Sequence, residues 1–316
     1  MTAAISANAA DRAIQSALDF LLVVAFLTLN STLNLTNKWA LSSYGFRFPL
    51  LLTTCHMSFI FLALLPFMVR QPFRSKHRES LATQWKGLIA VGIYMAANIS
   101  LNNLSLVLIT LSLNQVIRSS IPVCAAASAV VIEKKVPSAT EATALLVLTV
   151  GVMIAVFEGS VTGSTAGILL CVCGTACNAA MICTSGRLLS EKMDVLRLAF
   201  YTAPVSCAVL LPLFVARESA QFREYAMENS AGVALVLLCS SAMALLYNLV
   251  HALMIKKTSA VTVTVLGEVK VIGLLVLSAI LLGKTHSKVH LGSRQVNSPT
   301  AGGVNPVDFA ACTDLV

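Results

Sequence analysis

The chain has 316 residues, of which 57% are hydrophobic and 11% charged, with a mean hydropathy of +0.83. Soluble proteins carry about 25% charged residues because their surface faces water. This composition therefore excludes an ordinary soluble globule and puts lipid against most of the surface. The formal charge of +8 does not signal nucleic acid, because the basic residues sit in short clusters between apolar blocks with no basic–aromatic pattern of an RNA-binding module.

Residues 1–17 hold one arginine, Arg12, and one aspartate, Asp11. They form neither a charged region joined to an apolar one nor a segment as long as a plastid transit peptide. They read as a cytosolic N-terminal segment, with insertion left to the first membrane segment. Apolar runs of about 20 residues then predict about nine transmembrane helices. They lie near 18–37, 48–69, 87–108, 111–132, 140–157, 164–186, 197–216, 231–255 and 259–283. The third and fourth runs are nearly continuous, so a tight hairpin is expected between them. The fold class is thus an all-α polytopic membrane bundle, with a transmembrane domain over 18–283.

Lys and Arg bias orients the bundle. With the N-terminus inside, the cytosolic side receives Arg12, Arg70, Arg74, Lys76, Arg78, Lys86, Lys134, Lys135, Arg187, Lys192, Arg197, Lys256 and Lys257. The other side receives only Lys38, Arg47, Arg217 and Arg223 before the tail. From Lys284 to Val316 the chain turns polar and rich in Gly, Ser and Thr, and reads as a disordered tail. An odd helix count places this basic tail on the non-cytosolic side, against the rule.

Eight of the nine cysteines lie inside apolar runs: Cys55, Cys124, Cys171, Cys173, Cys177, Cys183, Cys207 and Cys239. No paired CxxC spacing for zinc occurs, so they read as small apolar filler. No metal and no cofactor are called for. The sequons at Asn30, Asn34, Asn98 and Asn103 also fall inside apolar runs and read as false positives.

A charge in the middle of a membrane helix costs about 2.5–3.5 kcal/mol on insertion scales and is by default a functional hypothesis. Two basic residues qualify. Arg118 lies ~12 Å into the fourth helix and Lys270 ~18 Å into the ninth, from opposite faces, at 1.5 Å per residue. In a core ~30 Å thick both reach the midplane. Two cations at one depth point to an anion site; the alternative is an interhelical ion pair in which Glu268 neutralises Arg118 or Lys270. Gly267 and Gly273 flank Lys270 and would allow close backbone approach or local unwinding. Pro122 frees backbone groups one turn beyond Arg118, and Asn114, Arg118 and Pro122 share one face.

Polar stripes occur on other helices: Asn30, Asn34 and Asn37; Asn98, Asn102 and Ser105; Tyr247, Asn248 and His251. Each alone reads as interhelical hydrogen-bond glue. Together with the two cations they suggest a wet cavity walled by several helices. The membrane histidines His56 and His251 have no obvious catalytic partners, and no HExxH motif is present, so an enzyme is not expected.

The segments Asn37-Lys-Trp39, Asn98-Ile-Ser-Leu-Asn102, Ser112-Leu-Asn-Gln-Val-Ile-Arg118, Tyr247-Asn248 through Lys256-Lys257-Thr-Ser-Ala, and Gly267-Glu-Val-Lys270 resemble the triose-phosphate and nucleotide-sugar transporters of the drug/metabolite transporter superfamily. The resemblance covers residues 20–283. It implies two inverted five-helix repeats, normally ten helices, with alternating access around a midplane site. Repeat one would cover about 18–157 and repeat two about 164–283, incomplete because no tenth apolar run follows.

The resemblance also implies that Arg118 and Lys270 bind substrate phosphate, with Arg118 where plastid translocators carry Lys, and that Tyr247 contacts substrate. Asn98, Asn102, Asn114, Asn248 and Gly267 complete the implied substrate site. Val271 stands where plastid translocators carry Arg, which looks like the non-plastid branch of the family and places the chain in the Golgi or endoplasmic reticulum.

The expected function is an antiporter swapping a nucleotide sugar or phosphorylated sugar for phosphate or a nucleoside monophosphate. The alternative is a non-transporting scaffold or an inactive truncated variant. Expected partners are an anionic small molecule and the lipid bilayer, not nucleic acid, with room for a homodimer.

Overall fold

The computed structural model describes residues 2–71, 73–157, 163–191, 193–228 and 230–273. The second half of the ninth predicted run and the whole tail lie outside the described residues. The helices are α1 (Thr2–Lys38), α2 (Pro49–Met68), α3 (Phe73–Leu108), α4 (Leu111–Arg118), α5 (Ile121–Ile132), α6 (Ala139–Val156), α7 (Thr165–Ser190), α8 (Val195–Arg217), α9 (Ser219–Glu228) and α10 (Ser230–Lys257). Residues 260–273 are also helical and are called α11.

Local sequence explains most of the boundaries. Side chains of Thr110, Ser138, Ser164 and Asp194 accept from backbone N–H groups of α4, α6, α7 and α8, satisfying donors that a helix start leaves open. Ser138 and Glu141 form a reciprocal capping box. Proline opens α2 and α5, where its missing N–H costs nothing.

Eight segments are long and apolar enough to cross a membrane, from Ile14–Leu41 to Gly232–Lys257, and match the first eight predicted runs. Within their most apolar windows only 11–44% of residues are buried in the protein. The remainder include large side chains such as Val107, Val147 and Ile154, 79%, 68% and 72% exposed. Lipid must cover these faces, because water would charge roughly 25 cal/mol per Å² for them. The chain is a multi-pass membrane bundle.

Four features depart from the sequence reading. Helix α1 starts at Thr2, so the N-terminal segment continues the first membrane helix, and it ends in a π-helical turn, Trp39–Ser43. Helix α3 begins a dozen or so residues before its apolar run, carrying Arg74, Lys76 and Arg78 beyond the membrane. The loop expected after the seventh run holds α9, whose Phe222 and Tyr225 pack on Phe46 and Phe48. The fourth run is broken at Ser119–Ser120, because Pro122 cannot donate to the carbonyl of Arg118, four residues earlier.

Helix α3 packs along α7, α2 along α8, α5 against α7, and α1 along α10. Small residues permit the closest approaches: a Cβ at Gly92 of α3 would fall 2.6 Å from the Cβ of Val205 in α8. The expected hairpin between α3 and α4 is present, and Ile109 within it bridges to Gly163.

An apolar cluster including Phe26, Ala125, Cys183, Leu188, Leu198, Ile255 and Val263 closes the bundle toward the face that carries most of the basic turns. A second cluster, Phe46, Phe48, Leu51, Leu52 and Val233, sits toward the opposite face. There the buried Glu218 carboxylate accepts from the N–H groups of Leu50 and Leu51, both at 3.0 Å. It caps α2 from 168 residues away. Burial pushes its carboxyl above the ordinary carboxylate range, while the two N–H donors pull the other way.

Candidate functional site

A cavity of about 510 Å³ lies between α1, α2, α3, α4, α6, α7, α10 and α11. All eight residues singled out as a substrate site line it: Asn98, Asn102, Asn114, Arg118, Tyr247, Asn248, Gly267 and Lys270. Residues separated by up to 172 positions are thus brought to one space, because their helices each present one polar stripe inward.

Arg118 is the last residue of α4, held where the helix breaks. Its Nη1 donates to Asn98 Oδ1 and Asn102 Oδ1, both at 3.2 Å. Asn102 Oδ1 also accepts from Asn114 Nδ2 at 3.1 Å, and Asn114 Nδ2 further reaches Ser105 Oγ at 2.9 Å and Cys171 Sγ at 3.3 Å. Asn114 is only 2% exposed, so its amide serves the protein and fixes the acceptor that holds Arg118. Ser105, fully buried, belongs to this support and not to the cavity wall. A guanidinium has five N–H donors; those on Nη2 and Nε have no partner among the described residues.

Lys270 Nζ donates to Asn30 Oδ1 at 3.3 Å, and Asn34 Nδ2 donates to the same oxygen at 3.0 Å. The ammonium has three donors, so most of its capacity is unused. Gly267, one turn away, was expected to allow close approach or unwinding. Neither occurs among the described residues: α11 runs helical from 260 to 273, and a Cβ at Gly267 or Gly273 would meet none of their atoms within 4 Å. Gly267 leaves room in the cavity instead.

The ion-pair alternative is not what the geometry shows. The ion pairs among the described residues lie elsewhere: Lys135–Glu133, Arg187–Glu191 and Arg197–Asp194. Glu268, 8% exposed, is near enough to act electrostatically on both cations but within 4 Å of neither. Two cations against one carboxylate leave a positive cavity in a medium of low dielectric, which suits an anion.

Aromatic rings pave one wall. Phe26, Tyr247 and His251 form a mutual cluster, with centroids 6.2 Å apart for Phe26 and Tyr247, 5.4 Å for Tyr247 and His251, and 5.9 Å for Phe26 and His251. Asn248 Nδ2 is turned to its own helix, donating to the Ala244 carbonyl at 2.8 Å. Sequence reading passed over Asn178 of α7, Gln115 of α4 and His56 of α2, all on the cavity wall. A lone amide in an apolar helix was the available signal for Asn178; His56 was weighed only as a catalytic base.

The description "Triose-phosphate Transporter family" matches residues 18–294. The chain belongs to this family. As a member of the triose-phosphate transporter family it is a membrane transporter and not an enzyme. Among similar proteins, a probable sugar phosphate/phosphate translocator of Arabidopsis thaliana is 30% identical over 260 residues, covering 79% of this chain and 82% of that protein. UDP-uronic acid transporter 1 of Arabidopsis thaliana is 31% identical over 264 residues, again covering 79% and 82%. A second probable sugar phosphate/phosphate translocator of the same plant is 29% identical over 290 residues, with 87% and 79% covered.

Proposed function

We propose that the chain is a secondary-active antiporter that exchanges a nucleotide sugar or phosphorylated sugar for phosphate or a nucleoside monophosphate. It works by alternating access across an internal membrane, in the Golgi or endoplasmic reticulum. The observation that carries this reading is the pair Arg118 and Lys270, both lining one cavity with donors to spare and, among the described residues, no carboxylate within 4 Å. The names of the similar proteins, sugar phosphate/phosphate translocators and a UDP-uronic acid transporter, agree with it.

Arg118 presents a planar fork suited to two phosphate oxygens and Lys270 a compact point charge. Asn98, Asn102 and Asn114 hold the fork; Tyr247 and Asn248 read the sugar or base; Gly267 leaves space for it. A volume of about 510 Å³ falls within the roughly 300–1,000 Å³ usual for small-molecule sites. Exchange follows from the charge balance: closing and reopening around an empty site would leave an uncompensated cation shut in low dielectric, whereas a bound phosphate cancels it.

The test is uptake of labelled nucleotide sugars and sugar phosphates into liposomes carrying the purified full chain, with and without internal phosphate or nucleoside monophosphate. Uptake that depends on the preload and disappears in Lys270→Ala is the expected result. Uptake equal with and without preload would replace exchange by uniport, and no uptake of any compound would favour the scaffold reading.

A further inference from the structure

His56 is 5% exposed on α2, lines the same cavity, and ties three helices together. Its Nε2 lies 2.7 Å from Ser240 Oγ on α10. Ser240 Oγ in turn donates to Asn37 Oδ1 on α1 at 2.9 Å. A serine hydroxyl has one hydrogen, and here it is spent on Asn37. Ser240 must therefore accept from the histidine, so the His56 proton sits on Nε2 and Nδ1 keeps its lone pair. Nδ1 has no hydrogen-bond partner among the described residues, on a ring that lines the cavity, and it is not one of the polar atoms shut away from solvent.

Its position relative to the cations is set by α1. Asn30 holds Lys270, and Asn37, seven residues on, holds the Ser240–His56 pair. Seven residues of helix span ~10 Å. The cavity thus has a donor-rich cationic end and, about two turns away along α1, an unpartnered acceptor, His56 Nδ1, that an unprotonated phosphate oxygen cannot satisfy.

We infer that His56 is a specificity-determining residue whose Nδ1 accepts a hydrogen bond from the uncharged part of the substrate, a sugar hydroxyl or a base N–H. Ser240 and Asn37 are positioning residues that hold the ring in the accepting tautomer. This rests on the anion-exchange reading, since it takes the phosphate to be bound at Arg118 and Lys270. Their order along α1 then orients the part of the substrate that meets His56: phosphate at Asn30 and that part toward Asn37, on the side opposite the Tyr247 ring that packs on Phe26.

The test uses the purified full-length chain labelled with ¹⁵N-histidine in lipid nanodiscs, titrated with inorganic phosphate, glucose 6-phosphate and uridine 5′-monophosphate. The chain has five histidines, so the His56 signals are assigned by their loss in His56→Gln. Expected are a neutral ring protonated on Nε2 and an Nδ1 resonance that moves with glucose 6-phosphate or the nucleotide but not with phosphate alone. A response to glucose 6-phosphate assigns the donor to a sugar hydroxyl; a response to the nucleotide alone assigns it to the base.

In the same preparation, His56→Leu should weaken the responding compound about 10-fold more than it weakens phosphate, the size of one hydrogen bond. Ser240→Ala should shift the ring toward the other tautomer and lose part of that preference. A proton found on Nδ1, or equal weakening of all three compounds, would overturn the proposal while leaving phosphate binding intact. Binding of none of the three by the unaltered chain would sink the anion reading itself, and this inference with it.

Discussion

The two cations of the cavity are held in opposite ways. Arg118 ends a helix broken by Pro122 and is clamped by two asparagines, one of which is itself fixed by Asn114. Lys270 stands on an unbroken helix with one asparagine partner and open space beside Gly267. One cation is an oriented fork and the other a tethered charge. On the proposed reading, rigid support would let the arginine choose the geometry of what it binds, whereas the lysine would contribute chiefly attraction and follow a phosphate as it moves.

The largest effect that would test this contrast is charge removal. Arg118→Ala and Lys270→Ala should each lower exchange by about 100-fold or more, the loss expected when a charge-assisted contact to a buried anion disappears. Uptake assays on protein that still elutes as a single species would check it. The two should be equal within a few-fold if both touch phosphate, and a silent Lys270→Ala would break the pairing.

Charge-preserving swaps sharpen it further. Arg118→Lys should cost roughly 10-fold in apparent affinity, because the ammonium cannot reproduce the fork set by Asn98 and Asn102. Lys270→Arg, with room around it, should cost less. The reverse order in a side-by-side titration would show that rigidity does not separate the two positions.

Smaller effects test the support. Asn102→Ala removes the acceptor shared by Arg118 and Asn114, leaving Asn98 to Arg118 and Ser105 and Cys171 to Asn114, so thermal unfolding should show a loss of about 1 kcal/mol. Asn30→Ala, beneath the half-buried lysine, should fall below that. Glu218→Ala should cost about 1 kcal/mol through loss of the cap on α2. Glu218→Gln should cost less, because it removes a burial-penalised charge together with one of the two acceptors. If both variants unfold at the temperature of the unaltered chain, the long-range cap contributes nothing to stability.

Much of the bundle was legible along the chain. The apolar runs marked eight of the observed spans, since a membrane helix must satisfy its own backbone and meet lipid, and both demands are local. The cap formed by Ser138 and Glu141 follows from chemistry within one turn, and the break before Pro122, which the apolar run alone did not show, has its cause equally close by. Even the stripe Asn30–Asn34–Asn37 was visible as periodicity.

Partnership was not. That Asn114 would serve Arg118 through Asn102, that Asn178 would face the same space, and that Glu218 would cap α2 depend on how each helix is rotated about its axis. Packing sets that rotation, through contacts such as Gly92 against Val205 and Gly167 against Ile109. Gly267 makes the same point in reverse: spacing suggested a close backbone approach, and the tertiary structure put empty cavity there. By itself the sequence determined that this chain crosses a membrane many times and carries two cations inside its apolar runs, because solvation acts residue by residue. Only the tertiary structure decided which side chains hold those cations and which hydroxyl meets His56, because a hydrogen bond needs its partners placed to within a few tenths of an ångström.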